Sequence, residues 1–266
     1  MKLAHPIIDV HGHWGPWFFA MDVGGISENL RVMDEWGITL QLVSASEAVV
    51  YDAPGGNALL DEVLRKQERF RGYLVANPND LAATERDLVH YLPTGRWAGV
   101  KLHTTYPGRD LVSPQVRDTF GLLDDYGVIV LVHTWGRDVL DLLPLLEANP
   151  NVRAVAGHMG ADRFDLAAEA ASSCPRLYLE PSCSVTDGGQ VAYVAARSPV
   201  GQLLFGTDST LIDPSVSIGL VEDAGLAADV AERLYWRNAA DLFALHAPVA
   251  NLLARPTTEV SGLAES

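Results

Sequence analysis

The sequence predicts a single (β/α)8 barrel, the TIM-barrel fold. Three observations point there. The chain has 266 residues, 48% of them hydrophobic, which is enough for one large core. Eight short apolar runs alternate with longer amphipathic segments. Most of the runs are continuously apolar, as strands of a parallel sheet buried on both faces are.

The runs are residues 7–10, 39–44, 72–76, 99–103, 128–133, 153–158, 177–182 and 203–208. Helical periodicity separates them. The first helix is expected over 28–36, with Ser27 as its N-cap and Gly37 just past its end. Helices over 58–69, 81–92, 115–126, 139–148, 163–172 and 189–196 follow. After the eighth run come 215–224, 227–236 and a last helix over 238–246. Strict alternation implies right-handed crossovers, and eight units imply closure. The rival is an open, doubly wound sheet. No linker or fixed-period repeat divides the chain, so residues 1–248 read as one domain. Residues 249–266, small and polar around Arg255-Pro256-Thr257-Thr258, read as a flexible tail.

The formal net charge of −15 repels phosphate backbones and anionic lipid, so neither nucleic acid nor a membrane surface is expected as a partner. Two cysteines, Cys174 and Cys183, make no disulfide framework and fit a reducing compartment. The start lacks the apolar core of a signal peptide, and no stretch of about 18 apolar residues occurs. A cytoplasmic protein acting on a small molecule is the expectation.

The chemistry gathers at one end of the strands. Run 1 leads into His11-Gly12-His13, and run 4 ends Lys101-Leu102-His103. Runs 5 and 6 end in His133 and His158, run 7 near Glu180, and run 8 in Asp208. Five of the eight histidines thus lie where barrel active sites are built, while His5, His90 and His246 do not. Alternate strand residues point the same way, so His11 and His13 can face one point. A divalent ion at about 2.0–2.1 Å from each nitrogen would make two converging imidazoles favourable. His133 and Asp208 can complete the shell, and such a site lowers the pKa of bound water to about 7. Each residue alone has a plainer reading: a hydrogen-bonded strand-end histidine, an Asp208 that caps a turn, a Lys101 in an ion pair. Packing does not explain their joint occurrence. Asp9 reads as a buried hydrogen-bonded group just inside the barrel.

The ordered set Ile8-Asp9-Val10-His11-Gly12-His13, Gly99-Val100-Lys101-Leu102-His103, Leu131-Val132-His133-Thr134, Ala156-Gly157-His158-Met159-Gly160, Phe205-Gly206-Thr207-Asp208 and Arg237-Asn238-Ala239-Ala240-Asp241-Leu242-Phe243 resembles the amidohydrolase superfamily. Within it, the resemblance is to the amidohydrolase-related group of metal-dependent TIM-barrel hydrolases and decarboxylases, and it spans nearly the whole chain. It implies His11, His13, His133 and Asp208 as ligands of one metal, zinc first and manganese as the alternative. It implies His158 as a non-ligand that hydrogen-bonds the attacking water, and Asp208 as the acceptor of that water's proton. Lys101 stands where two-metal relatives carry a carboxylated bridging lysine. If it were carboxylated, two metals would bind; otherwise it orients substrate.

The leading expectation is hydrolysis of an ester, lactone or amide. The first alternative is non-oxidative decarboxylation of a small carboxylated ring, and the second is a non-catalytic metal-binding barrel. A substrate carboxylate would need a cationic clamp, for which Arg109, Arg137 and Arg163 are candidates. Lys101, His103, Arg137, Arg163 and Trp14 are the expected substrate contacts, with Trp14, Trp17 and Phe18 walling an apolar pocket. A homodimer is a further expectation.

Overall fold

The computed structural model describes residues 5–21 and 23–254. Seven strands form one parallel sheet in sequence order: β1 (Ile8–Trp14), β2 (Leu40–Ala45), β3 (Phe70–Val75), β4 (Trp97–Leu102), β5 (Ile129–His133), β6 (Arg153–Gly157) and β7 (Leu177–Leu179). β1 runs through His13, so the H-x-H pair lies within the strand and not after it. Its register against β2 shifts between Asp9 and Gly12.

The expected eighth strand is not a ladder. Residues 203–209 make single parallel bridges to both edges of the sheet, Leu203 to Leu179 of β7 and Ser209 to Gly12 of β1. Leu204 N–H donates to the Leu179 carbonyl at 2.8 Å, Val10 N–H to the Phe205 carbonyl at 2.8 Å and Asp208 N–H to the His11 carbonyl at 2.7 Å. Regular pairing fails because two amides are taken by side chains. Thr207 N–H donates to Asp9 Oδ1 and Ser209 N–H to Thr207 Oγ1. Asp208 itself sits at φ 60°, outside the strand region.

Helices fill the crossovers. The first, Ile26–Trp36, starts from Gly25, so Ser27 lies inside the helix and does not cap it. Gly37 closes it at φ 74°, a left-handed position that a side chain would strain. The helix expected over 58–69 is Ala53–Leu64. Asp52 caps it by accepting from Gly55 N–H, and Pro54 sits in the first turn, where a missing N–H costs nothing. A short helix, Ser46–Val50, precedes it. Helix His246–Leu253 enters the segment read as a tail and buries Val249; residues 255–266 lie outside the described residues.

Side chains of period two divide the core. Val43, Leu74, Val100, Leu102, Val130, Val132, Ala154 and Ala156 face the helices, meeting Leu60, Leu88, Phe120 and Leu146 in one cluster. Leu40, Leu42, Tyr73, Ile129, Leu131, Val155 and Leu204 form a second cluster with Ala239, Ala240 and Leu245 of the C-terminal helices. Two residues further along β2, β5, β6 and residues 203–209, the same inner face carries Ser44, His133, Gly157 and Gly206 in place of aliphatic groups. The aliphatic layer is thus the floor of the polar site. No helix among the described residues is long and apolar enough to cross a membrane.

Candidate metal centre

His11, His13 and Asp208 converge, with ligand-type atoms all within 4.8 Å of one another and all three residues buried. Asp208 Oδ1 lies 2.9 Å from His13 Nε2 and 3.5 Å from His11 Nε2. The remaining nitrogens are held from behind. His11 Nδ1 meets Glu180 Oε1 at 2.8 Å, and His13 Nδ1 meets Ser44 Oγ at 3.1 Å. Both imidazoles therefore turn Nε2 inward.

The protonation states follow from burial. Desolvation is the largest influence on His11 and His13 and holds both below the ordinary histidine value, against the opposing pull of Asp208. Burial alone would raise Asp208, but the neighbouring His11 and His13 outweigh it and hold the carboxyl well below the usual range. Neutral imidazoles and an ionised carboxylate are the forms that ligate metal, so these residues fit a divalent cation.

A layer beneath fixes the backbone. Asp9 is fully buried, and accepts from His11 N–H at 3.0 Å, Gln41 Nε2 at 2.8 Å, Thr207 N–H at 3.0 Å and Thr207 Oγ1 at 2.5 Å. It joins β1, β2 and residues 203–209, the elements that carry His11, His13 and Asp208. The expectation of a buried hydrogen-bonded Asp9 matches this placement.

Lys101 points into the same centre from β4. Its Nζ lies 2.7 Å from His11 Nε2, and burial draws its amine down to about 8 against Asp208 and Glu180. His133 is placed differently from His11 and His13. Its Nδ1 meets His158 Nε2 at 3.0 Å, and its ring stacks on His103 with centroids 4.1 Å apart. His158 sits at φ 67°; its N–H donates to Glu180 Oε1 at 2.8 Å and its Nδ1 donates to the Ser182 carbonyl.

Aromatic rings continue outward. Trp17 packs edge-on to His13 at 4.9 Å and stacks on Phe19, and Phe18 meets Phe19, Tyr51 and Tyr106. Tyr106 packs on His103 at 4.5 Å, and Trp135 on His133 at 6.1 Å. Phe18, Phe19, Tyr51, Tyr106 and Trp135 are all exposed. A pocket of about 130 Å³ adjoins the centre at His103, lined also by Tyr51, Asn77, Asn79 and Tyr106.

The structure thus brings together His11, His13, Lys101, His103, His133, His158 and Asp208. No described contact joins Trp14, Arg137 or Arg163, three expected substrate contacts, to these groups. Trp14 packs against the core under the helices, and Trp17 is the tryptophan that meets His13. Arg163 is paired with Asp165 at 2.9 Å, and Arg137 is exposed. Arg109 donates to Asn79 Oδ1 at 2.6 Å, which leaves it beside the pocket, one residue removed from its lining. Loop conformation placed these side chains, and strand periodicity carries no information about it. Ser44, Ser182 and Gln41 were not expected as partners of the site, and Glu180, expected at the strand ends, had no role assigned. The signal for Glu180 was a lone acid in an apolar run, in phase with Tyr178 and Ser182.

The sequence model described as amidohydrolase matches residues 8–245. No curated protein matches. Solved structures share the fold at low identity. A 2,6-dihydroxybenzoate decarboxylase from Rhizobium is 14% identical, with a TM-score of 0.72 over 91% of this chain and 99% of that one. A dihydroxybenzoic acid decarboxylase from Polaromonas sp. JS666, with bound manganese and an inhibitor, is 16% identical, with a TM-score of 0.73 over 91% and 97%. A proposed 2-pyrone-4,6-dicarboxylic acid hydrolase from Pseudomonas putida is 18% identical, with a TM-score of 0.67 over 92% and 99%. With the family model covering β1 through Leu245 and the buried His11–His13–Asp208 centre inside that span, the chain belongs to the amidohydrolase family of enzymes.

Proposed function

We propose that this protein is a metal-dependent hydrolase that opens an ester, lactone or amide bond of a small molecule, on a closed (β/α)8 barrel whose eighth position is taken by residues 203–209. The supporting observation is the convergence of His11, His13 and Asp208 with no arginine hydrogen-bonded into that centre among the described residues. Zinc is the first candidate for the ion, manganese the second, and one ion per chain is expected, with His133 as a further ligand. When bound, a divalent ion polarises a carbonyl oxygen and lowers the pKa of water to about 7.

The chain's own groups do the rest. His11 and His13 hold Nε2 inward. Asp208, ionised and aimed at both rings, accepts the proton of the attacking water and returns it to the leaving group. His158 orients that water from the β6 side. Lys101 and His103 position the substrate, which enters over the aromatic rim and occupies the pocket at His103.

A second reading, decarboxylation of a carboxylated ring, is favoured by the fold shared with the dihydroxybenzoate decarboxylases and by Lys101, a cation beside the centre that could hold a carboxylate. One assay separates the two. The purified, metal-loaded protein is offered esters, lactones and ring carboxylic acids, and products are read by mass spectrometry. Gain of one water supports the hydrolase. Loss of carbon dioxide replaces it with the second reading.

A further inference from the structure

We infer that Glu180 is the positioning residue that fixes His11 in its metal-binding tautomer; the inference rests on the metal-centre reading above.

Glu180 lies just past β7 and is fully buried. Its Oε1 accepts from His11 Nδ1 at 2.8 Å, from His158 N–H at 2.8 Å and from Ser182 Oγ at 3.0 Å. Its Oε2 accepts from Ser182 N–H at 2.8 Å. A carboxylate offers about four lone-pair sites, so four donors use its accepting capacity. His11, His158 and Glu180 also lie close enough to suggest a second cation site. The hydrogen bonds argue against that. His11 Nδ1 is engaged by Glu180 Oε1 and lies 3.1 Å from Ser182 Oγ, Glu180 Oε1 takes two further donors, and His158 Nδ1 donates to the Ser182 carbonyl.

Two further observations agree. Lys101 Nζ, a donor only, lies 2.7 Å from His11 Nε2, so Nε2 is the accepting nitrogen and Nδ1 carries the proton. The space for the carboxylate is cleared by glycine. A Cβ on Gly206 would fall 2.2 Å from Glu180 Oε2 and 3.0 Å from His11 Cβ. A Cβ on Gly157 would fall 3.3 Å from Glu180 Oε1 and 3.3 Å from His11 Cε1. Both neighbours of the Glu180–His11 pair thus lack a side chain where one would displace it. A carboxylate behind a ligating imidazole fixes its tautomer and raises its basicity.

The test has three parts on the full chain. Nitrogen-15 NMR of metal-free wild type reads the His11 tautomer. Nδ1–H is expected, and Nε2–H would overturn the inference. Zinc affinity is then measured by chelator competition for Glu180→Gln, which keeps the shape and removes the charge, and for Gly206→Ala, which keeps the carboxylate and displaces it. Both should bind zinc about 10–100-fold more weakly than wild type. Wild-type affinity in either folded variant would contradict the role. His11→Ala is the control that isolates the underlying reading: if it too binds zinc like wild type, the metal centre itself has been misplaced.

Discussion

The wall and the rim of the mouth are built by opposite rules. The wall, from β1, β7 and residues 203–209, is a hydrogen-bonded lattice. Asp9 accepts from four donors and Glu180 from four, and His11, His13 and Asp208 are all buried. The rim, from Trp17 to Phe19 with Tyr51, Tyr106 and Trp135, is a set of ring contacts with most members exposed. A hydrogen-bonded wall holds ligand atoms to the tolerance that chemistry needs, and van der Waals contacts in the rim can re-form around different substrates. Reaction type should therefore reside in the wall and substrate preference in the rim.

The largest expected effect breaks the wall. Asp208→Asn keeps the shape and removes the proton acceptor, so kcat should fall about 10³-fold with the fold intact. Steady-state kinetics with circular dichroism check it, and a loss under tenfold would remove Asp208 from the chemistry. Next comes the support below. Asp9→Ala leaves the Gln41 amide, the Thr207 N–H and hydroxyl, and the His11 N–H without an acceptor, at a cost of about 3 kcal/mol or more by urea unfolding.

A control far from the mouth sharpens the comparison. Asp61 holds Arg96, Arg65 and the Trp97 indole at the opposite side of β3 and β4. Burial pushes its carboxyl up, but Arg96 and Arg65 outweigh this and hold it below the ordinary value of 3.8. A lowered folded pKa means that its contribution is present above that value and disappears as pH falls through the folded one. Asp61→Asn should cost about 1–3 kcal/mol at neutral pH with kcat unchanged. The gap from wild type should close on acidification below the ordinary carboxylate value. A gap independent of pH would deny the ion pairs this role.

The rim predicts smaller effects of a different kind. Phe18→Ala and Tyr106→Ala should raise KM about tenfold and leave kcat within about twofold. If kcat falls and KM holds, the rim takes part in the chemistry and the division fails. Smallest of all, Arg163→Ala breaks an exposed pair with Asp165 and should leave both kinetic constants within about twofold.

The same division governs what could be read from the sequence. The wall was largely legible because its polar residues end the apolar runs. His11, His13, His133, His158 and Asp208 could be placed at one end of the sheet from that position, and all five are there. Their partners were not legible, since Glu180 and His11 are 169 residues apart and only the fold joins them. Residues 203–208 looked like a regular strand because Leu203, Leu204 and Phe205 are apolar; the competing claim of Asp9 on the Thr207 amide has no local signature. In the rim, composition gave aromatic rings but not their facing. Trp14, the last residue of β1, belongs to the core, and Trp17, three residues on in the irregular segment that follows, to the mouth.

The central claim is that His11, His13 and Asp208 form a metal centre. Metal content per chain by elemental analysis, on wild type and on His11→Ala, tests it most directly. About one zinc or manganese per wild-type chain, lost in the variant, is the predicted result. No metal in the wild type, purified without chelator and after attempted reloading, would contradict it.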